Sequence, residues 1–219
     1  MPRIHGRNRK QEILDAAREL IFTEGATRFT VRRLAERVQI TEAALYRHYM
    51  GKEALLLALL DDIFHGWQAG IDEIVGRHES ACVRLRALVA FHLEHLFSQH
   101  FNPVLLLSDA ADPEQEELRQ SLCRIAHSLR QAIRALVLEG CKRGELAANL
   151  DAELVAQAFL GCVQSSVIEW SLIRSKSGLG ARLDRLTEFL IGACHAQRNA
   201  DGKRLSGVGK KSRNVRTKQ

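Results

Sequence analysis

One short stretch of the sequence, residues 30–52, carries the side chains best suited to binding another molecule. A helical repeat predicts an outward face that is first small, then aromatic, then basic, made of Ala43, Ala44, Tyr46 and Arg47. Small residues let a helix approach base edges in the major groove of DNA, and an arginine there can hold a guanine or a phosphate through two hydrogen bonds. These residue types at this spacing therefore indicate a helix that reads DNA.

Two short helices joined by a tight turn would position this face. The first is predicted from an apolar stripe at i, i+3, i+4 and i+7, formed by Val31, Leu34, Ala35 and Val38. Thr30 and Thr41 are each suited to cap a helix, because a threonine hydroxyl can accept a hydrogen bond from a free backbone N–H. Leu45 and Tyr49 then share the inward side of the second helix. Amphipathic helices with a few arginines are also common as ordinary surface structure, so periodicity alone leaves both interpretations open.

The stretch resembles the helix-turn-helix of TetR/AcrR-type bacterial transcriptional regulators. The matching positions agree in order and spacing: Gly25, Thr30, Val31, Leu34, Ala35, Thr41, Leu45, Tyr46, Tyr49, Lys52 and Glu53. The resemblance covers roughly residues 8 to 68, and it implies DNA contacts from Thr30, Arg32, Arg33, Thr41, Glu42, Ala43, Ala44, Tyr46, Arg47, His48 and Lys52. Lys52 opens the next helix, where free amides favour a phosphate. Gln39 departs from the pattern, because glycine is usual there, and a positive φ would cost glutamine about 1 kcal/mol.

Composition narrows the class of protein. A chain of 219 residues with 46% hydrophobic content can bury a sizeable core. The sequence has no run of about 18 apolar residues and no signal peptide, so we expect a cytoplasmic protein with no membrane partner. Its five cysteines are widely spaced and lack any C-x-x-C pair, which argues against a zinc site or a disulfide framework.

Charge is unevenly distributed along the chain. Residues 1–50 carry ten Lys or Arg against six Asp or Glu, residues 51–199 carry fifteen against nineteen, and residues 200–219 carry seven against one. Two basic ends and an acidic middle suit a protein with a nucleic-acid face and a separate body. The first ten residues form a basic arm, which the resemblance places along the DNA backbone or minor groove; the alternative is a solvated, disordered leader.

Apolar periodicity predicts further helices. A first helix is predicted over residues 9–23, a long one over 52–74, and others over 80–99, 104–110, 112–141, 151–172 and 179–195. The resemblance implies a pocket for a small apolar or amphipathic effector among inward-facing residues of the body: Phe64, Trp67, His92, Leu96, Phe101, Cys123, His127, Phe159 and Trp170. His92 lies in an apolar stripe, so it fits a buried core histidine as well as a polar contact to a ligand. His92 and His95 have a metal-binding spacing, but no third ligand is evident.

The last two helices are apolar on more sides than one pair can bury against itself. The first carries Leu154, Val155, Ala158, Phe159, Gly161, Cys162, Ser165, Ser166 and Ile168, and the second carries Leu183, Leu186, Phe189, Leu190, Ile191 and Ala193. The resemblance implies that they pair with their two-fold mates in a four-helix dimer interface, where Gly161 and Ser165 allow close approach. The alternative is that they close the core of a monomer.

Together these expectations describe an all-α subunit. Residues 8–68 form a helix-turn-helix domain, residues 69–199 a helical regulatory and dimerisation domain, and residues 200–219 a disordered basic tail. The resemblance implies a homodimeric repressor that leaves a double-stranded DNA operator when an effector binds; the alternative is a family member that organises the nucleoid or recruits a partner without an effector. The sequence shows no nucleophile–base pair, phosphate loop or metal cluster, so we predict no catalytic residue, metal or cofactor.

Overall fold

The computed structural model of the protein describes residues 9–25, 28–102, 106–173 and 179–195. Ten α-helices lie within these ranges: α1 Arg9–Glu24, α2 Val31–Arg37, α3 Glu42–Tyr46, α4 Lys52–Phe64, α5 Trp67–Gly76, α6 Ala81–Ser98, α7 Leu107–Ala110, α8 Glu116–Arg143, α9 Ala152–Ile173 and α10 Leu179–Cys194. No strand occurs among the described residues. The prediction of an all-α fold is confirmed.

Helices α1 to α3, here called the head, form a small three-helix unit. Apolar residues from each helix and from the loop after α1 fill its centre: Ile13, Ala17, Leu20, Ile21, Phe29, Leu34, Ala35 and Leu45. Gly25 ends α1 with a left-handed φ of 89°, which only glycine adopts without strain. Helix α4 packs on α1 and leaves the head toward the remaining helices.

Helices α5 to α10, here called the body, pack mainly as α8 on α9, α9 on α10 and α6 on α8. Two of their predicted starts are confirmed by their caps: Ser80 Oγ accepts from Val83 N at 3.2 Å, and Asp151 Oδ1 accepts from Leu154 N at 3.1 Å. The predicted start of α8 after residue 112 is wrong. Helix α8 begins at Glu116, and the Gln115 side chain makes no cap.

The single helix predicted over residues 52–74 is two helices, α4 and α5. The helix is interrupted at His65 and Gly66, where Gly66 has a left-handed φ of 72°. Sequence periodicity missed the break because the apolar residues on both sides pack into the same core. All six members of the predicted stripe are buried: Leu56, Leu60, Ile63, Trp67, Ile71 and Ile74.

Several predictions concern residues outside the described ranges. These are the basic arm before residue 9, the first part of the helix predicted over 104–110, most of the connector after α9, and the tail after residue 199. Among the described residues, none of the helices combines the length and the apolar character that crossing a membrane requires.

Candidate nucleic-acid interface and ligand cavity

The two helices of the predicted motif are capped as their sequence indicates. Thr30 Oγ1 accepts a hydrogen bond from Arg33 N at 3.2 Å, and Thr41 Oγ1 accepts one from Ala44 N at 3.1 Å. Each cap satisfies a backbone donor that the first turn of a helix leaves free. The caps therefore fix where α2 and α3 begin, and with them the orientation of α3.

The turn between α2 and α3 has the geometry for which glycine is the usual residue. Gln39 has a φ of 55°, in the left-handed region. Its N–H donates to Glu36 O at 3.2 Å, and the N–H of Ile40 donates to Ala35 O at 3.0 Å. This pair of bonds is a Schellman motif, in which the residue after the C-cap is left-handed. The departure seen in the sequence thus leaves the turn intact but places glutamine in a strained conformation.

Helix α3 presents the predicted face to solvent. Leu45 is fully buried and Tyr49 nearly so, whereas Tyr46 is 44% exposed. Of the predicted DNA-contacting residues, seven are exposed: Thr30, Arg32, Thr41, Glu42, Ala43, Tyr46 and Arg47. Four are half-buried: Arg33, Ala44, His48 and Lys52. None of the eleven is buried, so every member of the predicted set reaches the surface of the head.

The basic residues of this set differ in their partners. Arg32 pairs with Glu36 at 3.0 Å, and Arg33 pairs with Glu24. Lys52, expected to meet a phosphate, pairs with Asp109 of α7 in the body. Arg47 has no ion-pair partner among the described residues, so its guanidinium is the group on this face most available to DNA.

Sequence reasoning missed Met50 at this face. It lies between α3 and α4 and is 85% exposed, next to Gly51, whose φ is 111°. An apolar side chain so exposed beside the reading helix is available for contact with a sugar or a thymine methyl group. The surrounding pattern predicts a turn here, but periodicity cannot show which way a turn residue points.

A cavity of about 130 Å³ lies between α4, α6, α8 and α9, with the exposed Gln164 at its edge. Its walls are mainly apolar: Phe64, His92, Leu96, Leu122, Ile125, Ala126, Leu129, Leu160, Val163, Gln164 and Val167. His92 and Gln164 supply the polar groups, and among the described residues no charged side chain lines the cavity. Such a lining suits an uncharged, mostly apolar molecule.

His92 is held in one protonation state and one tautomer. Trp67 Nε1 donates a hydrogen bond to His92 Nδ1 at 3.1 Å. Burial, with a smaller contribution from nearby His95, lowers the pKa of His92 from 6.5 to about 3. The ring is therefore neutral at physiological pH and carries its proton on Nε2, which can donate to an oxygen acceptor of a ligand.

The structure separates the nine residues predicted for the pocket. Phe64, His92 and Leu96 line the cavity, while Trp67 and Phe101 make edge-to-face contacts with Phe64, with ring centroids 5.2 and 6.2 Å away. Phe159 and Trp170 are buried but do not line the cavity. Trp170 instead packs against Phe22 of the head and Phe97 of α6, at 5.5 and 4.9 Å.

The prediction that Cys123 and His127 face inward from α8 is wrong. Both are exposed, and they border an outer groove of about 850 Å³ between α5 and α8. Leu122 and Ile125, which sequence reasoning left out of the pocket, line the cavity in their place. The apolar periodicity of α8 carried this information, since Leu118, Leu122, Ile125 and Leu129 follow one inward stripe.

His95 has a structural partner of its own. Its Nε2 lies 2.6 Å from Ile63 O at the end of α4, and burial lowers its pKa. Among the described residues, no three His, Cys, Asp or Glu side chains come together to hold a metal ion.

Two family models match the chain. The model described as bacterial regulatory proteins of the tetR family matches residues 13–59, and the model described as the tetracyclin repressor-like C-terminal domain matches residues 81–185. Nucleoid occlusion factor SlmA of Vibrio atlanticus is 30% identical over 73% of this chain and 82% of its own length. The fatty acid metabolism regulator protein of Bacillus subtilis is 23% identical over 86% of this chain and 97% of its own length.

Solved structures share the fold. A crystal structure of the transcriptional regulator FadR from Bacillus subtilis in complex with stearoyl-CoA superposes with a TM-score of 0.70 at 23% identity, over 84% of this chain and 99% of that one. A helix-turn-helix head joined by one helix to a helical body defines a DNA-binding regulator. The chain belongs to the TetR family of bacterial transcriptional regulators.

Proposed function

We propose that this protein is a dimeric repressor that binds an operator through its head and is released by a small effector bound in the cavity. One observation carries the proposal: α4 links the two sites. It begins at Lys52, after the five-residue segment that follows α3, and ends at Phe64, which lines the cavity. Thirteen helical residues span about 20 Å, so a displacement at Phe64 can be transmitted along a rigid element to the DNA face.

The cavity narrows the chemistry of the effector. The group that enters the cavity should be uncharged, because a buried ion would have no counter-charge in this lining, and any charged part of a larger effector would have to stay outside. An oxygen acceptor is favoured, since His92 Nε2 has a proton to donate. The related Bacillus regulator was crystallised with stearoyl-CoA. A cavity of 130 Å³ is small beside the 300–1,000 Å³ or so of ordinary ligand pockets, so we infer a short or compact apolar group here.

The proposed dimer interface lies on α9 and α10. Large apolar side chains on these helices face solvent: Leu154, Ile168, Leu172, Ile173 and Phe189. Leu172 is 80% exposed and Phe189 is 71% exposed. Nothing lies within 4 Å of a Cβ built on Gly161, which leaves room for a second helix. Exposed apolar residues concentrated on two adjacent helices support a second copy of the chain as the occupant.

A second candidate function rests on the Vibrio relative. It is 30% identical to this chain and is a nucleoid occlusion factor. A protein acting on the chromosome in this way would bind many dispersed sites and would need no effector. Mapping binding sites across the genome separates the two functions, because a repressor occupies few sites beside genes. In either role the protein would act in the cytoplasm, where bacterial DNA lies.

The repressor proposal is tested with a cavity-filling variant. Val163 is buried at the cavity wall, so Val163→Phe should occupy the space an effector needs while leaving the head unchanged. We expect normal binding to the DNA upstream of the protein's own gene and loss of release by butyryl-CoA, octanoyl-CoA or stearoyl-CoA, whichever releases the wild type. The control is Val83→Phe, at an exposed position of α6.

Three results would contradict the proposal. The first is that neither an acyl-CoA nor any uncharged apolar compound in a screen releases the wild type from DNA. The second is that Val163→Phe is released like the wild type. The third is chemical conversion of the releasing compound on incubation, which would favour an enzyme. Fluorescence anisotropy of labelled DNA measures release, and mass spectrometry of the recovered compound measures conversion.

A further inference from the structure

An ion pair joins the DNA face of the head to the body. Lys52, the first residue of α4, donates from Nζ to Asp109 Oδ1, and Asp109 is the third residue of α7. The side chain of Lys52 is 32% exposed and that of Asp109 only 15%. By contrast, both members of the Arg32–Glu36 pair within the head are largely exposed. The Lys52–Asp109 pair is therefore better shielded from water and salt than the Arg32–Glu36 pair.

Asp109 depends on this one cation. Its second oxygen, Oδ2, is buried and has no hydrogen-bond partner among the described residues. A partly buried carboxylate whose cation leaves becomes an uncompensated charge, which is unfavourable. Leu106 and Ala110, on either side, are buried in the core, so Asp109 cannot follow Lys52 away from the body.

We infer that Asp109 competes with DNA phosphate for Lys52, so that the body restrains the head's phosphate-binding lysine. The inference rests on the proposed function and adds a point at which the body regulates DNA affinity. An ammonium at a helix N-terminus beside a reading helix favours a phosphate. While Asp109 neutralises that ammonium, binding DNA there releases no counterion and gains little.

The position of α7 connects this contact to the cavity. Helix α7 packs against α8, whose Leu122, Ile125 and Leu129 form part of the cavity wall. A ligand that shifts α8 therefore shifts Asp109 relative to Lys52. Since coupling between two sites is reciprocal, a phosphate that takes Lys52 from Asp109 in turn weakens the contact between head and body.

A double-mutant cycle with the full chain tests the inference. The wild type, Asp109→Asn, Lys52→Gln and the double variant are titrated onto a random-sequence 30-base-pair duplex, by fluorescence anisotropy, between 50 and 300 mM KCl. Asparagine keeps the size of the side chain and removes its charge. Asp109→Asn should bind on the order of 8-fold more tightly per head at about 0.1 M salt, with a plot of log K against log salt steeper by about 0.9 per head. The double variant should lose this gain.

The matched control is Asp112→Asn. Asp112 is exposed, lies three residues from Asp109 and is not paired with Lys52, so it changes the net charge equally without freeing the lysine. Thermal unfolding of every variant establishes that the fold is retained. The inference is overturned if Asp109→Asn binds DNA no more tightly than Asp112→Asn. It is also overturned if the gain in affinity persists in the double variant.

The same measurements separate this inference from the proposed function. The random duplex reports phosphate binding whether or not an operator exists. If the wild type prefers no genomic sequence and responds to no effector, the repressor proposal is refuted. The double-mutant cycle can still be interpreted, because it uses the random duplex. If the protein binds its operator but Asp109→Asn leaves the affinity for the random duplex unchanged, only the competition for Lys52 is refuted.

Discussion

Replacing His92 should change how the stability of the protein depends on pH. The ring is buried beside the cavity and accepts a hydrogen bond from Trp67 Nε1. Burial and His95 lower its pKa from 6.5 to about 3 in the folded state. As the pH falls below 6.5, the unfolded chain takes up a proton at this position while the folded protein does not, so His92 favours unfolding progressively in acid.

The magnitude follows from the two pKa values. Above pH 6.5 the ring is neutral in both the folded and the unfolded state, so its titration leaves stability unchanged. Below pH 6.5 the free energy of unfolding decreases by about 1.4 kcal/mol for each pH unit, down to a pH of about 3. At pH 5 the free energy of unfolding should be lower by about 2 kcal/mol on this account alone. His92→Gln removes the titrating group, so its free energy of unfolding should fall less steeply between pH 6.5 and 5.

Urea unfolding followed by circular dichroism at pH 7.5, 6.5, 5.8 and 5.0 gives the required comparison. Loss of the imidazole and of its placed acceptor for Trp67 should lower the stability of His92→Gln by about 1–3 kcal/mol at every pH, which leaves the slope unaffected. His127→Gln is the control, because that histidine is exposed on α8. Curves for His92→Gln and the wild type that stay parallel from pH 6.5 to 5.0 would refute the assignment of a buried, neutral ring.

Two further substitutions test the head. Arg47→Ala should weaken binding to the operator by about 1–3 kcal/mol with a smaller effect on a scrambled duplex, because an unpaired arginine on the reading face meets a base edge; equal losses on both duplexes would make it a phosphate contact. Gln39→Gly should raise the free energy of unfolding by about 0.5–1 kcal/mol, because relief of a left-handed glutamine exceeds the added flexibility of the unfolded chain. Gln39→Ala, which keeps the strain, should leave stability nearly unchanged in the same thermal unfolding experiment, and a gain equal to that of glycine would contradict the explanation.

Local signals in the sequence were sufficient for most of the head. The caps at Thr30 and Thr41 and the buried positions Leu34 and Leu45 depend on neighbours within four residues. Even the strain at Gln39 could be anticipated, because a Schellman turn requires a left-handed residue at that position. The starts of α2 and α3 and the exposure of the predicted face followed from these signals. The end of α3 did not, because the helix stops at Tyr46 and Tyr49, expected on its inward side, lies beyond it.

The cavity and the ion pairs were less accessible to sequence reasoning. Cys123 follows Leu122 in the sequence, and successive residues of a helix point about 100° apart. A small error in choosing the inward face of α8 therefore selected the exposed Cys123 in place of Leu122, which lines the cavity. The pairing of Lys52 with Asp109 depends on how α7 packs beside α4. Charges alternate too often in the sequence for such a partner to be selected without that packing.

The break between α4 and α5 shows how a tertiary contact can override a continuous helical pattern. In an unbroken helix, Ile63 O would accept from the backbone N–H of Trp67. Here His95 Nε2 is hydrogen-bonded to Ile63 O at 2.6 Å, and His92 Nδ1 accepts a hydrogen bond from the side chain of Trp67. His95 thus satisfies the carbonyl that the break leaves free, His92 holds the indole ring at the start of α5, and Phe64 lines the cavity. Because the break is fixed by the same helix that lines the cavity, we expect a ligand touching His92 to act directly on the direction in which α4 leaves the body.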